Sequence, residues 1–490
     1  MPQNSENISG AGFKPSLGLF DATMIVAGSM IGSGIFIVSA DITRHVGSAG
    51  WLIAVWLITG FMTLTAALSY GELSSMFPKA GGQYVYLKEA FNPLAGFLYG
   101  WSFFAVIQTA TIAAVGVAFS KFAAYLIPAV SEDNKLLKFQ TGMDDCHNPV
   151  YFSISAAQVV SIILITFLTY TNTKGLKGGK WIQNIFTTTK LLSLFGLIIA
   201  GFIAFNPEIW NANWSTGWHA TETTLKEACN PAAGWNITDI SGVVLIGGVA
   251  AAMSGSVFSS DAWNNVTFIA GEIKNPKKNI GLSLFMGTLI VTIIYVCANL
   301  VYVAVLPLDS LAHAEKDRVA VEASKVIFGS IGTKVIAVMI MISTFGCNNG
   351  LILAGARVYN TMANDGLFFK KASQLNRNAV PEFALWIQCI VASLLCLSGK
   401  YGDLLDMISF VVVFFYALTI IGIFILRKKM PNAERPYKAF GYPVLPAIYI
   451  LLAVVFCYFL IMMKPVYAGA GAAIVLAGIP VYYLALKNKK

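Results

Sequence analysis

Twelve apolar runs constrain this chain more than anything else in it. They fall near residues 18–43, 50–76, 94–127, 151–170, 184–205, 239–270, 281–305, 331–360, 382–398, 404–426, 444–463 and 468–486. About 20 apolar residues in a helix cross the hydrocarbon core of a bilayer, and a helix pairs its own backbone groups where no water can. The expected fold is therefore an all-α polytopic membrane protein with twelve transmembrane helices. The runs at 94–127 and 239–270 are too long for a straight crossing, so they tilt, bend or break. Composition agrees, with only 12% charged residues, about half the share of a soluble domain.

Two runs contain residues from which a spanning helix gains nothing. The first holds Gly28-Ser-Met-Ile-Gly-Ser-Gly-Ile-Phe36. Each glycine costs about 1 kcal/mol relative to alanine in a helix interior. Small residues also serve close helix contacts, so the stretch is either a packing face or a deliberate break. The sixth run has a matching interruption, Ser254-Gly-Ser-Val-Phe-Ser-Ser-Asp261. Interrupted helices at corresponding positions of two halves point to the binding site of a secondary transporter. Spans 1–5 start on one side and spans 6–10 on the other, so a five-plus-five repeat is inverted. The expected divisions are a leader (1–17), a first repeat (18–205), an outer loop (206–238), a second repeat (239–426) and spans 11 and 12 with a tail (427–490). The repeat is read from span order and the two breaks, not from residue similarity between the halves.

The formal charge of +9 is a topology signal rather than a sign of nucleic-acid binding. Of 33 Lys and Arg residues, 21 fall on the side of both termini and nine on the opposite side. The richer side is cytoplasmic, which places both termini there, in a plasma membrane or a bacterial inner membrane. The leader has no short apolar core with a small-residue cleavage site, so it reads as cytosolic and not as a signal peptide. Seven cysteines without a C-x-x-C pair, and four histidines, give no metal, cofactor or nucleophile cluster. No enzyme chemistry is expected. Cys146 and Cys229 lie in the two long outer loops, where an oxidising exterior would permit a disulfide; two free thiols are the other reading. Asn213 and Asn236 open glycosylation patterns.

An opened turn in the first span would free the amides of Gly32, Ser33, Gly34 and Ile35 at a positive helix end, suited to a carboxylate. Carbonyls near Ile31, Val257 and Phe258 would suit an ammonium. Together they describe a site for an α-amino acid zwitterion, with side-chain choice left to Phe258, Ser259 and Asp261. An ionisable residue inside a span is a functional candidate. Asp261 could meet a cationic side chain or cap the inner half of span 6, and the cap is the favoured reading.

Five strings in order carry a resemblance along nearly the whole chain. They are Met30-Ile-Gly-Ser-Gly-Ile-Phe36, Pro78-Lys-Ala-Gly-Gly-Gln-Tyr-Val-Tyr86, Gln183-Asn-Ile-Phe-Thr-Thr-Thr-Lys190, Phe258-Ser-Ser-Asp-Ala-Trp-Asn264 with Gly271-Glu-Ile-Lys-Asn-Pro276, and Ser343-Thr-Phe-Gly346 with Ala363-Asn-Asp-Gly366. The chain resembles the amino acid–polyamine–organocation superfamily with its LeuT-type inverted repeat. Within that superfamily it is similar to the L-amino acid transporter branch, the light subunits of heteromeric transporters and their bacterial relatives. The resemblance implies sodium-independent exchange of small or neutral L-amino acids by alternating access, spans 1, 2, 6 and 7 rocking against spans 3, 4, 8 and 9. It also implies that Lys190 stands where sodium-coupled relatives hold the ion, bridging the first break to Ser343. A link from Cys146 to a heavy-chain partner is a family feature for which Cys229 competes. Ser259-Ser260 departs from the family's small-aromatic pair and leaves side-chain preference open. Proton-coupled uptake, or uptake of cationic amino acids or polyamines, is the alternative on the same fold. A sensor would need an output domain and a channel a continuous polar lining.

Overall fold

The computed structural model describes residues 15–143, 149–227, 229, 234–398 and 401–487; most of the expected leader and Cys146 lie outside them. Ten helices are long and apolar enough to cross a membrane, and two further apolar helices, Leu19–Met30 and Glu382–Leu397, are shorter. Leu19–Met30 is short because span 1 breaks, resuming as a 3-10 turn at Gly34–Phe36 and a helix at Ser39–Val46. Span 2 is Ala49–Met76, span 3 Pro93–Leu126, span 4 Ala156–Thr173 and span 5 Leu176–Ile203. Span 6 runs over Gly242–Ser259, breaks, and gives one further turn at Asn265–Phe268. Spans 7 to 12 are Pro276–Val305, Val319–Asn364, Glu382–Ser398, Tyr401–Lys429, Val444–Met463 and Pro465–Lys487.

Both over-long runs resolve locally. Span 3 absorbs its length in a π-helical turn at Phe103–Ile107, and the 239–270 run breaks after Ser259. Helix starts follow their capping residues. The Ser48 side chain accepts from the Trp51 amide, Asn92 precedes Pro93 and accepts from Ala95, and Ser155 with Gln158 forms a reciprocal box. Periodicity of the apolar runs did not reveal the contents of the long loops. Lys135–Met143 pairs antiparallel with Pro149–Ser155, with Phe139 opposite Phe152. Thr221–Leu225 pairs with Trp235–Asp239 after a short helix at Pro207–Ser215. These two hairpins mark one end of the molecule, called the hairpin end below.

Span 3 is the central pillar, with 83% of its most apolar stretch buried, whereas span 12, at 17%, lies on the outside of the bundle. Spans 3, 4, 8 and 9 are joined by side-chain amides that satisfy carbonyls or one another. Gln108 donates to the Leu351 carbonyl at 2.6 Å, Asn172 to Asn349 at 2.8 Å, Asn348 to Ile112 at 3.2 Å and Gln388 to Ile352 at 3.1 Å. Polar bonds of this kind hold helices together where lipid removes the hydrophobic drive. Spans 2 and 7 approach closely enough that a β-carbon on Gly71 would lie 3.5 Å from the Gly281 α-carbon.

The end opposite the hairpins is closed. Arg357 of span 8 and Glu272, just after span 6, form a buried ion pair at 3.2 Å. The amides of Ser16 and Leu17 donate to the Glu272 carbonyl, and Lys274 donates back to Leu17. Glu72 at the end of span 2 accepts from Arg427 at 3.0 and 2.7 Å and from the Ala439 amide at 2.7 Å. It is an interface ion partner of span 10.

Candidate functional site

The two breaks meet. A β-carbon on Gly34 would stand 2.6 Å from the Ser259 β-carbon and 3.0 Å from its α-carbon, so only glycine lets these segments lie together. The Tyr295 hydroxyl of span 7 sits 3.0 Å from the carbonyl oxygens of both Met30 and Ser259, joining the last carbonyl before one break to that before the other. Tyr302 donates to Ile35 at 3.2 Å, and Thr59 meets Ser256 at 2.7 Å. Spans 1, 2, 6 and 7 are thereby tied around the breaks.

Span 1 opens through Ile31, at φ −75° and ψ 87°, the geometry of an inverse γ-turn. That turn brings the Gly32 amide to the Met30 carbonyl at 2.8 Å. Gly32 therefore does not join the free donors expected from sequence. The 3-10 turn then makes its own bonds from Phe36 onward, Phe36 donating to Ser33 at 3.1 Å. The Gly34 and Ile35 amides are its first two, the positions that a helical turn leaves without internal acceptors.

The carbonyls of this break are already held. Lys190 of span 5, 1% exposed, donates to the carbonyls of Gly28 and Ile31, the latter at 2.8 Å. Ser343 of span 8 shares its hydroxyl between Ile31 at 3.3 Å and Gly32 at 3.2 Å, and Cys347 donates to Ser29 at 3.2 Å. A carbonyl has two acceptor positions, and those of Ile31 are taken by Lys190 and Ser343. On span 6, the carbonyls of Val257 and Phe258 end the helix and accept from the amides of Ser260 and Asp261, both at 3.2 Å.

Asp261 is not the cap expected of it. The turn Asn265–Phe268 begins at Asn264 without a side-chain cap, and the Asp261 carboxylate instead accepts from Tyr416 of span 10 at 2.5 Å. Ala262, at φ 61°, turns the backbone between the two. Below the break, Gln83 links Asn264 at 3.1 Å to Thr419 at 3.0 Å. Cavities of about 20 and 10 Å³ flank Asp261 and Tyr416, room for a water each and not for an amino acid. A larger cavity of about 830 Å³ opens at the hairpin end and reaches Val38 and Gly255 just above the breaks. On its rim Lys316 donates to the exposed Asp133 carboxylate and holds it below the usual carboxylate range.

Sequence reasoning brought together Gly34, Ile35, Val257, Phe258, Ser259, Asp261, Lys190 and Ser343, and the structure places all of them at the two breaks. It missed Tyr295, Tyr416 and Cys347. Tyrosines in mid-span, far from the headgroup belt where tyrosine is expected, were the available signal. Cys229 is disulfide-bonded; Cys146, its expected partner, is outside the described residues. Asn213 is buried and donates to the carbonyls of Val303 and Leu306, both at 2.8 Å, which is a structural role.

Comparison with known proteins agrees with this geometry. The profile of a family described as amino acid permease matches residues 17–486. The chain is 30% identical over 485 residues to the large neutral amino acids transporter small subunit 2 of Homo sapiens, covering 99% of this chain and 82% of that protein. It is 29% identical to the serine/threonine exchanger SteT of Bacillus subtilis, covering 98% of both. It is 28% identical to the Asc-type amino acid transporter 1 of Mus musculus, covering 96% of this chain and 81% of the other. A match from end to end, on a chain of apolar spans with two breaks that touch, makes this a membrane transporter rather than an enzyme, and the chain belongs to the amino acid permease family.

Proposed function

We propose that the protein exchanges small neutral L-amino acids across the membrane without sodium, by alternating access around the two breaks. The observation that carries this reading is the Lys190 ammonium, buried against the Gly28 and Ile31 carbonyls with Ser343 on the same turn. Unwound carbonyls in transporters of this design coordinate a cation. Here a side chain supplies the charge, so no ion need be recruited.

The substrate carboxylate is assigned to the amides of Gly34 and Ile35, and its ammonium to the helix-ending carbonyls of Val257 and Phe258, at the negative end of the span 6 dipole. Phe258, Ser259 and Asp261 face the side chain. The names of the relatives, a serine/threonine exchanger and neutral amino acid transporters among them, support a small neutral substrate. Because the breaks enclose no space for one in this conformation, binding requires spans 1 and 6 to move apart. Both termini are assigned to the cytoplasm on the basic-residue asymmetry, in a plasma membrane or a bacterial inner membrane. No partner subunit is invoked.

Counterflow of a panel of labelled amino acids in proteoliposomes, with and without sodium and proton gradients, tests the reading. Serine, threonine and alanine are expected to exchange with neither gradient. Uptake that rises steeply with external sodium would refute the lysine mechanism. Accumulation driven by a proton gradient alone would make the protein a symporter, and a preference for arginine or polyamines would return Asp261 to the role of side-chain receptor.

A further inference from the structure

The cavity at the hairpin end is lined by six cationic and five acidic side chains. Most are paired. Arg44 donates to Asp317 at 2.8 Å and to Asp41 at 3.4 Å, Lys316 pairs with Asp133, and Lys464 with Asp406 at 2.8 Å. Arg318 is different. It is 6% exposed, its Nε is buried with no hydrogen-bond partner, and no carboxylate among the described residues lies within ion-pair distance. Among those residues the Tyr125 ring, 5.3 Å away, is the neighbour that answers its charge. Lys121, on the same wall, has one distant carboxylate, Asp317 at 3.9 Å, which Arg44 already engages.

A buried guanidinium stays charged and carries five donors in a planar fork. Leaving it without a counter-charge is costly, and the shape it complements is a carboxylate held by two parallel bonds. Arg318 is the residue preceding the helix Val319–Asn364, whose N-terminal dipole adds charge of the same sign. Acidic groups line the same cavity, so the ammonium of a zwitterion would also find partners there. At about 830 Å³ the cavity has room for an amino acid, which the cavities of about 20 and 10 Å³ at the breaks lack.

We propose that Arg318, with Lys121, forms an anion site in this vestibule that takes the carboxylate of an amino acid passing between the hairpin end and the central breaks. The proposal rests on the reading of the protein as an amino acid exchanger. The same donors would accept chloride, and the experiment separates the two.

The test is serine exchange in oriented proteoliposomes, with the apparent KM measured at each face for the unmodified protein, Arg318→Gln, Arg318→Lys and Lys121→Gln. One charge-assisted contact in a wet site is worth about fivefold in affinity. Arg318→Gln should therefore raise KM about fivefold at the hairpin face only, Lys121→Gln should raise it less, and Arg318→Lys, which keeps the charge but not the planar fork, should recover only part of the loss. An unchanged KM in Arg318→Gln, or an equal rise at both faces, overturns the proposal, the second outcome indicating a structural role. If replacing chloride by gluconate shifts the unmodified protein's KM and leaves Arg318→Gln insensitive, the anion is chloride and the amino acid assignment falls. An unmodified protein that moves no amino acid defeats the exchanger reading itself, and this assignment with it. Normal transport with an unaffected Arg318→Gln defeats this assignment alone.

Discussion

Replacing Lys190 with alanine removes an ammonium that two carbonyls share. Hydrogen bonds to a charged group contribute about 1.5–3 kcal/mol each. The pair on Gly28 and Ile31 acts on one turn, so the two do not add, and we assign about 2 kcal/mol to their joint hold on the break. Burying the ammonium itself costs several kcal/mol, and the substitution relieves that cost. Folding stability should therefore change little, while the break loses the restraint that orients it for transport. A loss of about 2 kcal/mol in the rate-limiting step slows turnover about 30-fold. Counterflow of labelled serine into proteoliposomes measures it. Lys190→Met serves as a control that keeps the volume of the stem, and Lys190→Arg as one that keeps the charge. Lys190→Met should be slow as well, because packing is preserved and charge is not. A Lys190→Ala protein that elutes as a single species and turns over within threefold of the unmodified one would refute the argument.

Gly34→Val should abolish binding of every amino acid tested, since its β-carbon would collide with Ser259; normal affinity in a folded variant would return the stretch to a packing face. Asp261→Asn keeps an acceptor for Tyr416 but loses its charge, so affinity for serine, alanine and arginine should fall alike, by about fivefold. A loss confined to arginine and lysine, read in competition assays, would instead identify Asp261 as a side-chain receptor. Glu272→Gln removes the carboxylate charge that the buried Arg357 meets at 3.2 Å. This should cost about 3–5 kcal/mol at the closed end, read as a lower melting temperature and faster labelling of a reporter cysteine placed there. An unchanged melting temperature together with unchanged labelling would show that the pair does not seal that end.

What was legible in the sequence was whatever a local pattern dictates. Apolar length marked the spans, and the cost of glycine and serine in a helix interior marked both breaks. Ser33 and Gly34 could be placed at a break because non-helical backbone survives at membrane depth only where protein or a wet cavity surrounds it. The detail inside the break was not legible. Whether the Gly32 amide is free depends on the dihedral angles of Ile31, and a γ-turn has no composition signature of its own. Asp261 shows the same limit. Aspartate before a helical turn is a good cap by local rules, but Tyr416, some 155 residues later, claimed its carboxylate through tertiary packing. The Arg357–Glu272 pair was invisible for a similar reason, since each residue alone resembles an ordinary charge at a span end. Lys190 was found only because a family resemblance gave its position meaning; hydropathy alone allowed a lysine whose stem reaches the headgroups.

The carbonyls of the first break divide by the direction from which they are held. Those of Gly28, Ser29, Ile31 and Gly32 accept from Lys190, Cys347 and Ser343 on spans 5 and 8. Those of Met30 and Ile35 accept from Tyr295 and Tyr302 on span 7. The turn is thus the joint between two groups of helices, each internally cross-linked. In the proposed mechanism one group rocks against the other, and the bonds that cross the joint must stretch or exchange while those within each group persist. The Ser343 bonds, at 3.2 and 3.3 Å on a short side chain, have little reach and should yield first. Lysine has a four-carbon stem and can follow a carbonyl as it moves. An ammonium on a flexible stem thereby keeps the break neutralised through the motion, which a rigidly placed hydroxyl could not do.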